Sequence, residues 1–217
     1  MQRENKSALL QLANDVHWPM PQAEQAERYV DLIEEWNQRT NLVSRQDVGR
    51  IVSRHVRESL WFCRPEVLGT SATVLDLGSG AGFPGVPMKI QLPELQLTLL
   101  DSRRMKALFL NEVVRTFGWK DVSVRCERAE TLPATAPGLL FDLVVCRAVA
   151  RLPELWRWSA PLLHRGGRLA ALKGGDLTLE LRQLRSKYPG LEAALLPMPE
   201  LPDDPEARRQ MIVIRNA

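Results

Sequence analysis

Two acids and three glycines have the types and spacing of a ligand site: Asp76, Gly78, Gly80, Gly82 and Asp101. The glycines follow an apolar run, 73–77, and they permit positive φ and let a ligand approach backbone N–H groups where a helix begins. The second acid ends another apolar run, 95–100, where a carboxylate can accept hydrogen bonds from ribose hydroxyls. The pattern therefore predicts a site for a nucleoside-bearing ligand. A tight turn that recruits glycine for its conformation alone is the alternative.

Two common nucleotide sites do not match this pattern. The dinucleotide fingerprint needs a third glycine where this chain has Phe83, which disfavours a nicotinamide cofactor. A phosphate-binding loop needs Lys and then Ser or Thr after its last glycine, whereas Val86 and Pro87 follow Gly85. The order acid-x-Gly-x-Gly-x-Gly, with an acid after the second strand, instead resembles the S-adenosylmethionine site of a class I methyltransferase.

Alternating strands and helices must position these residues. Seven stretches have the length and composition of strands: 73–77, 95–100, 122–126, 141–146, 168–172, 191–196 and 211–214. Because helical patterns separate most of them, we predict an α/β fold with a mostly parallel, seven-stranded, Rossmann-like sheet joined by right-handed crossovers. Residues 1–64 are expected to form a helical N-terminal extension to a methyltransferase core at 72–217, within a single domain, 1–217.

The helices are predicted from apolar residues that recur at three- and four-residue steps. They cover 7–13, 22–38, 48–61, 86–91, 105–117, 153–163 and 178–188. The helix at 105–117 should bury an apolar stripe made of Leu108, Phe109, Val113 and Phe117. Residues 133–140 are expected to form a loop, and Gly166-Gly167 a turn before the fifth strand. A second loop, 197–205, is rich in proline and acids.

Composition and charge add a weaker signal. The formal net charge of the 217-residue chain is +3, and arginine, its dominant cation, suits phosphate and guanine edges. Three widely spaced cysteines and three scattered histidines argue against a disulfide framework and against a metal site. Since no apolar run is long enough for a bilayer and the first residues lack a signal-peptide core, we expect a cytoplasmic protein with no membrane partner.

Seven stretches, taken together, resemble one family. They are 36–42 (WNQRTNL), 54–59 (RHVRES), 76–87 (DLGSGAGFPGVP), 99–102 (LLDS), 146–150 (CRAVA), 171–174 (ALKG) and 209–214 (RQMIVI). The continuation of the glycine turn through 83–87 is the most specific motif. The chain is similar to the glucose-inhibited division protein B family, bacterial methyltransferases that modify N7 of one guanine in small-subunit (16S) ribosomal RNA. It departs from the family at Gln210, where we expect histidine in relatives, and at Arg103-Arg104, where small residues are usual.

The resemblance implies S-adenosyl-L-methionine as the cofactor and 16S rRNA, or a small-subunit assembly particle, as the partner of a monomer without metal. The cofactor-binding residues are then Asp76, Gly78, Ser79, Gly80, Gly82, Phe83, Asp101, Ser102, Ala129, Glu130 and Arg147. For Asp76 two roles stay open, orientation of the turn or contact with the methionine ammonium group.

The positions of several basic residues along the chain predict which residues contact the substrate. Arg147 and Lys173 follow the fourth and fifth strands, and ligands bind outside the carboxyl ends of such strands, so we give this pair the catalytic role. The remaining RNA-binding residues are predicted to be Arg54, His55, Arg128 and Arg209. For each cation, a salt-bridged or solvated surface position is the alternative.

Methylation of guanine N7 requires few catalytic groups from the protein. The N7 lone pair is exposed and carries no proton, so no general base is needed and catalysis can come from positioning. Carbon-5 methylation of a pyrimidine would need a cysteine nucleophile, and Cys146 is the nearest candidate, although a cysteine closing a strand is more typical of the core. An RNA-binding protein without activity and a small-molecule methyltransferase are the competing classes.

Overall fold

The computed structural model describes residues 1–147, 149–198 and 209–216. Within them, the α-helices are α1 (Arg3–Asp15), α2 (Met20–Asn37), α3 (Arg57–Leu60), α4 (Pro65–Leu68), α5 (Gly85–Gln91), α6 (Arg104–Phe117), α7 (Leu132–Thr135), α8 (Leu152–Ser159) and α9 (Thr178–Lys187). The strands are β1 (Thr73–Leu77), β2 (Gln96–Leu100), β3 (Val122–Arg125), β4 (Phe141–Arg147), β5 (Leu163–Gly174), β6 (Leu191–Pro197) and β7 (Arg209–Asn216). Most of the predicted loop at 197–205 lies outside the described residues.

The strands form one seven-stranded sheet in the order β3-β2-β1-β4-β5-β7-β6. Strands β1 to β5 are parallel, and β7 runs antiparallel between β5 and β6. This confirms the predicted α/β fold with a mostly parallel sheet. The strand order reverses between β1 and β4, and ligands of such sheets bind outside the carboxyl ends of the strands at that point.

Apolar side chains of the central strands are buried on both faces of the sheet, as expected for parallel strands covered by helices. Val74 of β1 belongs to a cluster that also contains Leu12 of α1 and Tyr29 of α2. Its neighbour Leu75 faces the opposite side and packs in a cluster with Leu155 of α8. The N-terminal helices therefore cover the same face of the sheet as Val74.

Residues 48–61, predicted as one helix, are divided. A 3-10 turn at Val48–Arg50 is followed by a π-helical segment at Ile51–Val56 and then by α3. The buried Asn5 side chain explains the break: its Nδ2 donates to Val48 O at 2.7 Å and its Oδ1 accepts from Val52 N at 3.3 Å. A side chain inserted into the backbone ladder disturbs the regular hydrogen-bond period.

Three further local predictions were wrong. Leu108 is 44% exposed, and Leu110 is fully buried on α6 together with the predicted Phe109 and Val113. Gly166-Gly167 is not a turn before β5, because the strand runs through it and its register against β4 shifts there. A Cβ on Gly167 would lie 2.9 Å from His164 O, so glycine allows this bulge-like crossing. The predicted loop at 133–140 likewise includes part of α7.

Candidate functional site

A cavity of about 1080 Å³ opens at the carboxyl ends of β1, β4 and β5, where the strand order reverses. A second cavity of about 470 Å³ adjoins it on the side of β2. The two share the lining residues Gly78, Gly80, Arg147, Val149 and Trp158. They therefore form the larger and the smaller half of one cleft.

The glycine turn forms the floor between the halves. Gly78 N and Ser79 N both donate to Leu100 O, at 2.8 and 3.0 Å, which ties the turn to the end of β2. Gly80 has φ +59°, and a Cβ built there would meet nothing closer than Gly78 O at 3.9 Å. The backbone at Gly80 is thus open to the cleft, as close approach by a ligand requires.

Asp76 lies behind this turn. Its side chain is fully buried, and its Oδ2 accepts a hydrogen bond from Gly85 N at 2.9 Å. Burial raises the pKa of this carboxyl to about 7, although the bond from Gly85 acts in the opposite direction. Of the two roles considered for Asp76, the structure displays the orientation of the turn, and contact with a ligand stays a prediction.

Gly82 also lies away from the cleft. A Cβ at this position, which has φ +95°, would lie 2.6 Å from Val86 Cγ2. Gly82 thus allows the turn to pack closely on α5. Its contact with the cofactor stays a prediction.

Asp101 connects the smaller half of the cleft to the glycine turn. Its Oδ2 accepts from Gly80 N at 2.9 Å and its Oδ1 from Arg103 N at 2.8 Å. The predicted residues Ser102, Ala129 and Glu130 line the same half. The geometry brings together the groups that were predicted around a nucleoside, and the residues present fit such a ligand.

An aromatic and cationic wall borders the larger half. The rings of His55 and Phe83 stack at a centroid distance of 5.2 Å, and Arg147 Cζ lies 4.9 Å from the Phe83 centroid. Burial, together with the nearby Arg147, lowers the pKa of His55 to about 3. The imidazole is therefore neutral at neutral pH, and neither of its ring nitrogens has a hydrogen-bond partner among the described residues.

A buried carboxylate that the sequence did not single out holds two of the predicted cations. Glu58 Oε2 accepts from Arg147 Nη1 at 3.1 Å, and its Oε1 accepts from Arg209 Nε at 2.9 Å. The sequence analysis included Glu58 only as part of the family motif at 54–59. Its signal was a lone acid among the cations of 50–57, within a family motif.

The other predicted cations differ in their surroundings. Arg54 Nη1 donates to Asp47 Oδ1 at 2.8 Å at the edge of the larger half. Lys173 Nζ donates to Ala150 O at 2.8 Å and pairs with Glu180 at 2.9 Å. Four of the predicted cations thus line the larger half with carboxylate partners, and their contact with RNA stays a prediction.

Arg128, the remaining predicted cation, is exposed and lines the smaller half. Three further residues of the larger half were missed, namely Arg151, Glu154 and Trp158. Their spacing along the start and first turns of α8, just beyond the end of β4, is the signal that could have found them.

Cys146 does not border the cleft. It is 1% exposed within the cluster beneath β4, and burial raises the pKa of its thiol to about 12. A thiol in this state is a core residue and a poor nucleophile.

Among the described residues, no group of three or more His, Cys, Asp and Glu side chains is arranged to hold a metal ion. None of the helices in that part of the chain combines the length and the apolar character needed to cross a bilayer.

The parallel sheet with its antiparallel β7, the open glycine turn and the acid after β2, together with the family match that follows, define a class I, S-adenosylmethionine-dependent methyltransferase. A model of the GidB family, described as rRNA small subunit methyltransferase G, matches residues 22–211. The chain belongs to this family, which confirms the resemblance inferred from its motifs.

Known relatives align in sequence with this chain over most of their length. The chain is 37% identical over 190 residues to the ribosomal RNA small subunit methyltransferase G of Chlorobaculum tepidum, an alignment that covers 86% of both chains. It is 39% identical over 175 residues to the protein of the same name from Laribacter hongkongensis, covering 76% of this chain and 82% of the relative.

Solved structures of lower identity share the fold. An O-methyltransferase from Bacillus cereus, in complex with SAH, superposes with a TM-score of 0.63 at 14% identity and covers 95% of this chain and 96% of its own. A putative O-methyltransferase from Klebsiella pneumoniae gives a TM-score of 0.61 at 16% identity, with coverage of 95% and 94%.

Proposed function

We propose that this protein transfers a methyl group from S-adenosylmethionine to N7 of a guanine in small-subunit ribosomal RNA. The observation that carries the proposal is the continuity of the cleft: the half bordered by Asp101 joins, across Gly80, the half walled by Phe83, His55 and Arg147. A nucleoside cofactor in the first half would present its reactive end to a base in the second.

The proposed reaction requires no proton acceptor from the protein. When bound, S-adenosylmethionine would supply an electrophilic methyl group on its sulfonium, and the carbon–sulfur bond would break to leave S-adenosylhomocysteine. Guanine N7 attacks with a lone pair that carries no proton, so His55 need not act as a base, consistent with an imidazole whose pKa is lowered to about 3. Orientation of the two reactants can contribute ~7–11 kcal/mol in well-aligned systems, which makes positioning sufficient as the main catalytic device.

Arg147 is proposed to orient the base or its phosphate. Arginine commonly donates to O6 and N7 of guanine, but a donor on N7 would occupy the lone pair that must attack. We therefore assign Arg147 a contact with O6 or with a phosphate oxygen. Its guanidinium is held from the protein side by Glu58 and the Phe83 ring, which leaves its remaining donors for the substrate.

Lys173 is proposed to act on the segment that follows β4. Its bond to Ala150 O and its pair with Glu180, which also accepts from Leu152 N at 2.9 Å, brace this segment against α9. Lys173 thereby fixes the segment that carries Arg151 and Trp158, and we propose that this segment contacts the RNA.

The finer partner assignments are parts of the same proposal. We infer that the chain acts as a cytoplasmic monomer on a small-subunit assembly particle, with Arg54, His55, Arg128 and Arg209 towards the RNA. We also infer a single domain, supported by the apolar cluster in which Leu12 of α1 and Val74 of β1 pack together.

Methyl transfer from labelled S-adenosylmethionine tests the proposal. Small subunits stripped of methylation, naked small-subunit rRNA and free guanosine are offered in parallel. We expect label in the particle or the RNA and none in guanosine. Label in guanosine alone would indicate a small-molecule methyltransferase, and binding of RNA without transfer would indicate a protein that retains the fold but not the activity.

A further inference from the structure

We propose that Glu58 is a positioning residue for methyl transfer, which holds the guanidinium groups of Arg147 and Arg209 together at the wall of the larger half of the cleft. The inference deepens the proposed function and rests on it. Glu58 acts through the two arginines, so its removal should disturb the reaction more than the binding of either ligand.

The geometry divides the carboxylate evenly between its partners. Oε2 accepts from Arg147 at 3.1 Å and Oε1 from Arg209 at 2.9 Å, and the Glu58 side chain is only 3% exposed. The partners are 89 and 151 positions away in the chain. One residue of α3 thus joins the end of β4 to the start of β7, on opposite sides of β5.

The energetics favour a role in orientation over one in stability. Taking a carboxylate and two guanidinium groups out of water is costly, and the attraction between them offsets this cost only in part, so buried ion clusters contribute little net stability. Such a cluster does fix the direction of its members. Two cations near one cavity would otherwise repel each other and separate.

Arg147 is restrained from a second direction as well. Its guanidinium lies over the Phe83 ring, in the family motif that continues the glycine turn. Glu58 and Phe83 together leave the guanidinium little freedom to rotate. Misplacement of an orienting group by about 1 Å can reduce a reaction rate by ~100-fold, so this restraint bears directly on catalysis.

Neutralising Glu58 should separate binding from reaction. With one carboxylate and two guanidinium groups, the cluster has a net charge of +1, and in a Glu58→Gln variant it becomes +2. The additional cationic charge at the cleft attracts phosphates and should steepen the dependence of log K on log salt by about 0.7–0.9. The amide NH₂ also faces an arginine N–H, so one guanidinium loses its place.

The experiment compares Glu58→Gln with Glu192→Gln. Glu192 pairs with Arg215 of β7 at 2.9 Å, so its substitution makes the same change in net charge next to an arginine of the same strand, away from the cleft. Methyl transfer at saturating RNA, RNA affinity at several salt concentrations and S-adenosylhomocysteine affinity are measured for both variants and the wild type, together with Tm.

For Glu58→Gln we expect methyl transfer to fall between about tenfold and hundredfold, RNA binding to be equal or tighter with a steeper salt slope, and S-adenosylhomocysteine affinity to stay within about twofold. Glu192→Gln should match the wild type in methyl transfer and in S-adenosylhomocysteine affinity. Glu58→Asp, which keeps the charge, should restore the salt slope of the wild type.

The proposal is overturned if Glu58→Gln methylates at the wild-type rate, or if its rate, RNA affinity and Tm all fall together, as a purely structural role would require. Should the wild type itself transfer no methyl group to RNA, the proposed function fails. The salt dependence of RNA binding then tests the role of Glu58 independently, because an unchanged slope would show that the carboxylate does not balance the positive charge of the two arginines.

Discussion

Asp101 Oδ2 accepts a hydrogen bond from Gly80 N at 2.9 Å, which joins the acid after β2 to the glycine turn after β1. The glycine turn and the acid after β2, which predicted a nucleoside site from the sequence, therefore form one structural unit. The acid sets the position of the glycine on which the cofactor is expected to rest.

Loss of this link should weaken the cofactor before the RNA. In Asp101→Ala, Gly80 N loses its acceptor and the expected ribose contact disappears, so we predict that S-adenosylhomocysteine affinity falls by at least about tenfold. Isothermal titration measures it. RNA affinity should stay near that of the wild type, and a variant that binds the nucleoside normally would remove Asp101 from the cofactor site.

A pair of glycines separates backbone strain from ligand contact. Gly80 and Gly118 have φ of +59° and +64°, and a Cβ on either meets nothing closer than 3.9 Å. Alanine should therefore cost both positions a similar ~1–2 kcal/mol of folding stability. Only Gly80→Ala projects into the cleft and should abolish measurable cofactor binding, whereas Gly118→Ala should bind normally. Equal cofactor affinities would contradict the placement of the ligand at Gly80.

The raised pKa of Asp76 predicts a pH dependence of stability. Its folded pKa of about 7 exceeds the ordinary value of 3.8, so its stabilising contribution is complete at low pH and is lost as pH rises through 7. Asp76→Asn keeps an acceptor for Gly85 N and does not titrate. Relative to this variant, the wild type should lose up to ~1.4 kcal/mol of unfolding free energy per pH unit between about 4 and 7. Urea denaturation across this range measures the difference, and parallel curves would rule out the shift.

Lys173→Ala should slow methyl transfer by about tenfold or more while cofactor affinity stays within about threefold, because Lys173 and its acceptor Ala150 O line only the larger half of the cleft. Lys187→Ala, an exposed lysine at the end of α9, is the matched control and should behave as the wild type. Full activity of Lys173→Ala would remove the lysine from the site.

Much of this architecture is legible in the sequence because it depends on local pattern. Buried parallel strands read as continuous apolar runs, and the glycines mark the turn that follows β1, so the fold and residues that line the smaller half of the cleft could be predicted. The division of 48–61 could not, since it depends on Asn5, a residue more than forty positions away. Glu58 was missed for the same reason, because its partners lie on β4 and β7.

The helix stripe illustrates a different limit. Leu108 and Leu110 are equally apolar, and only the packing of α6 against the sheet decides that Leu110 is buried and Leu108 exposed. Similarly, Gly166-Gly167 has the composition of a turn, and the neighbouring carbonyls of β4 and β5 make it part of a strand instead. Periodicity predicts that one face is buried, and tertiary contacts select which residues form it.

The central claim, that the product is N7-methylguanosine in small-subunit rRNA, is tested most directly by mapping the methylated nucleosides of that RNA by mass spectrometry. RNA from cells that lack this gene is compared with RNA from the same cells after the gene is restored. We expect one N7-methylguanosine that disappears on deletion and returns on complementation. An unchanged map, or the loss of a methyl group from a different atom or base, would contradict it.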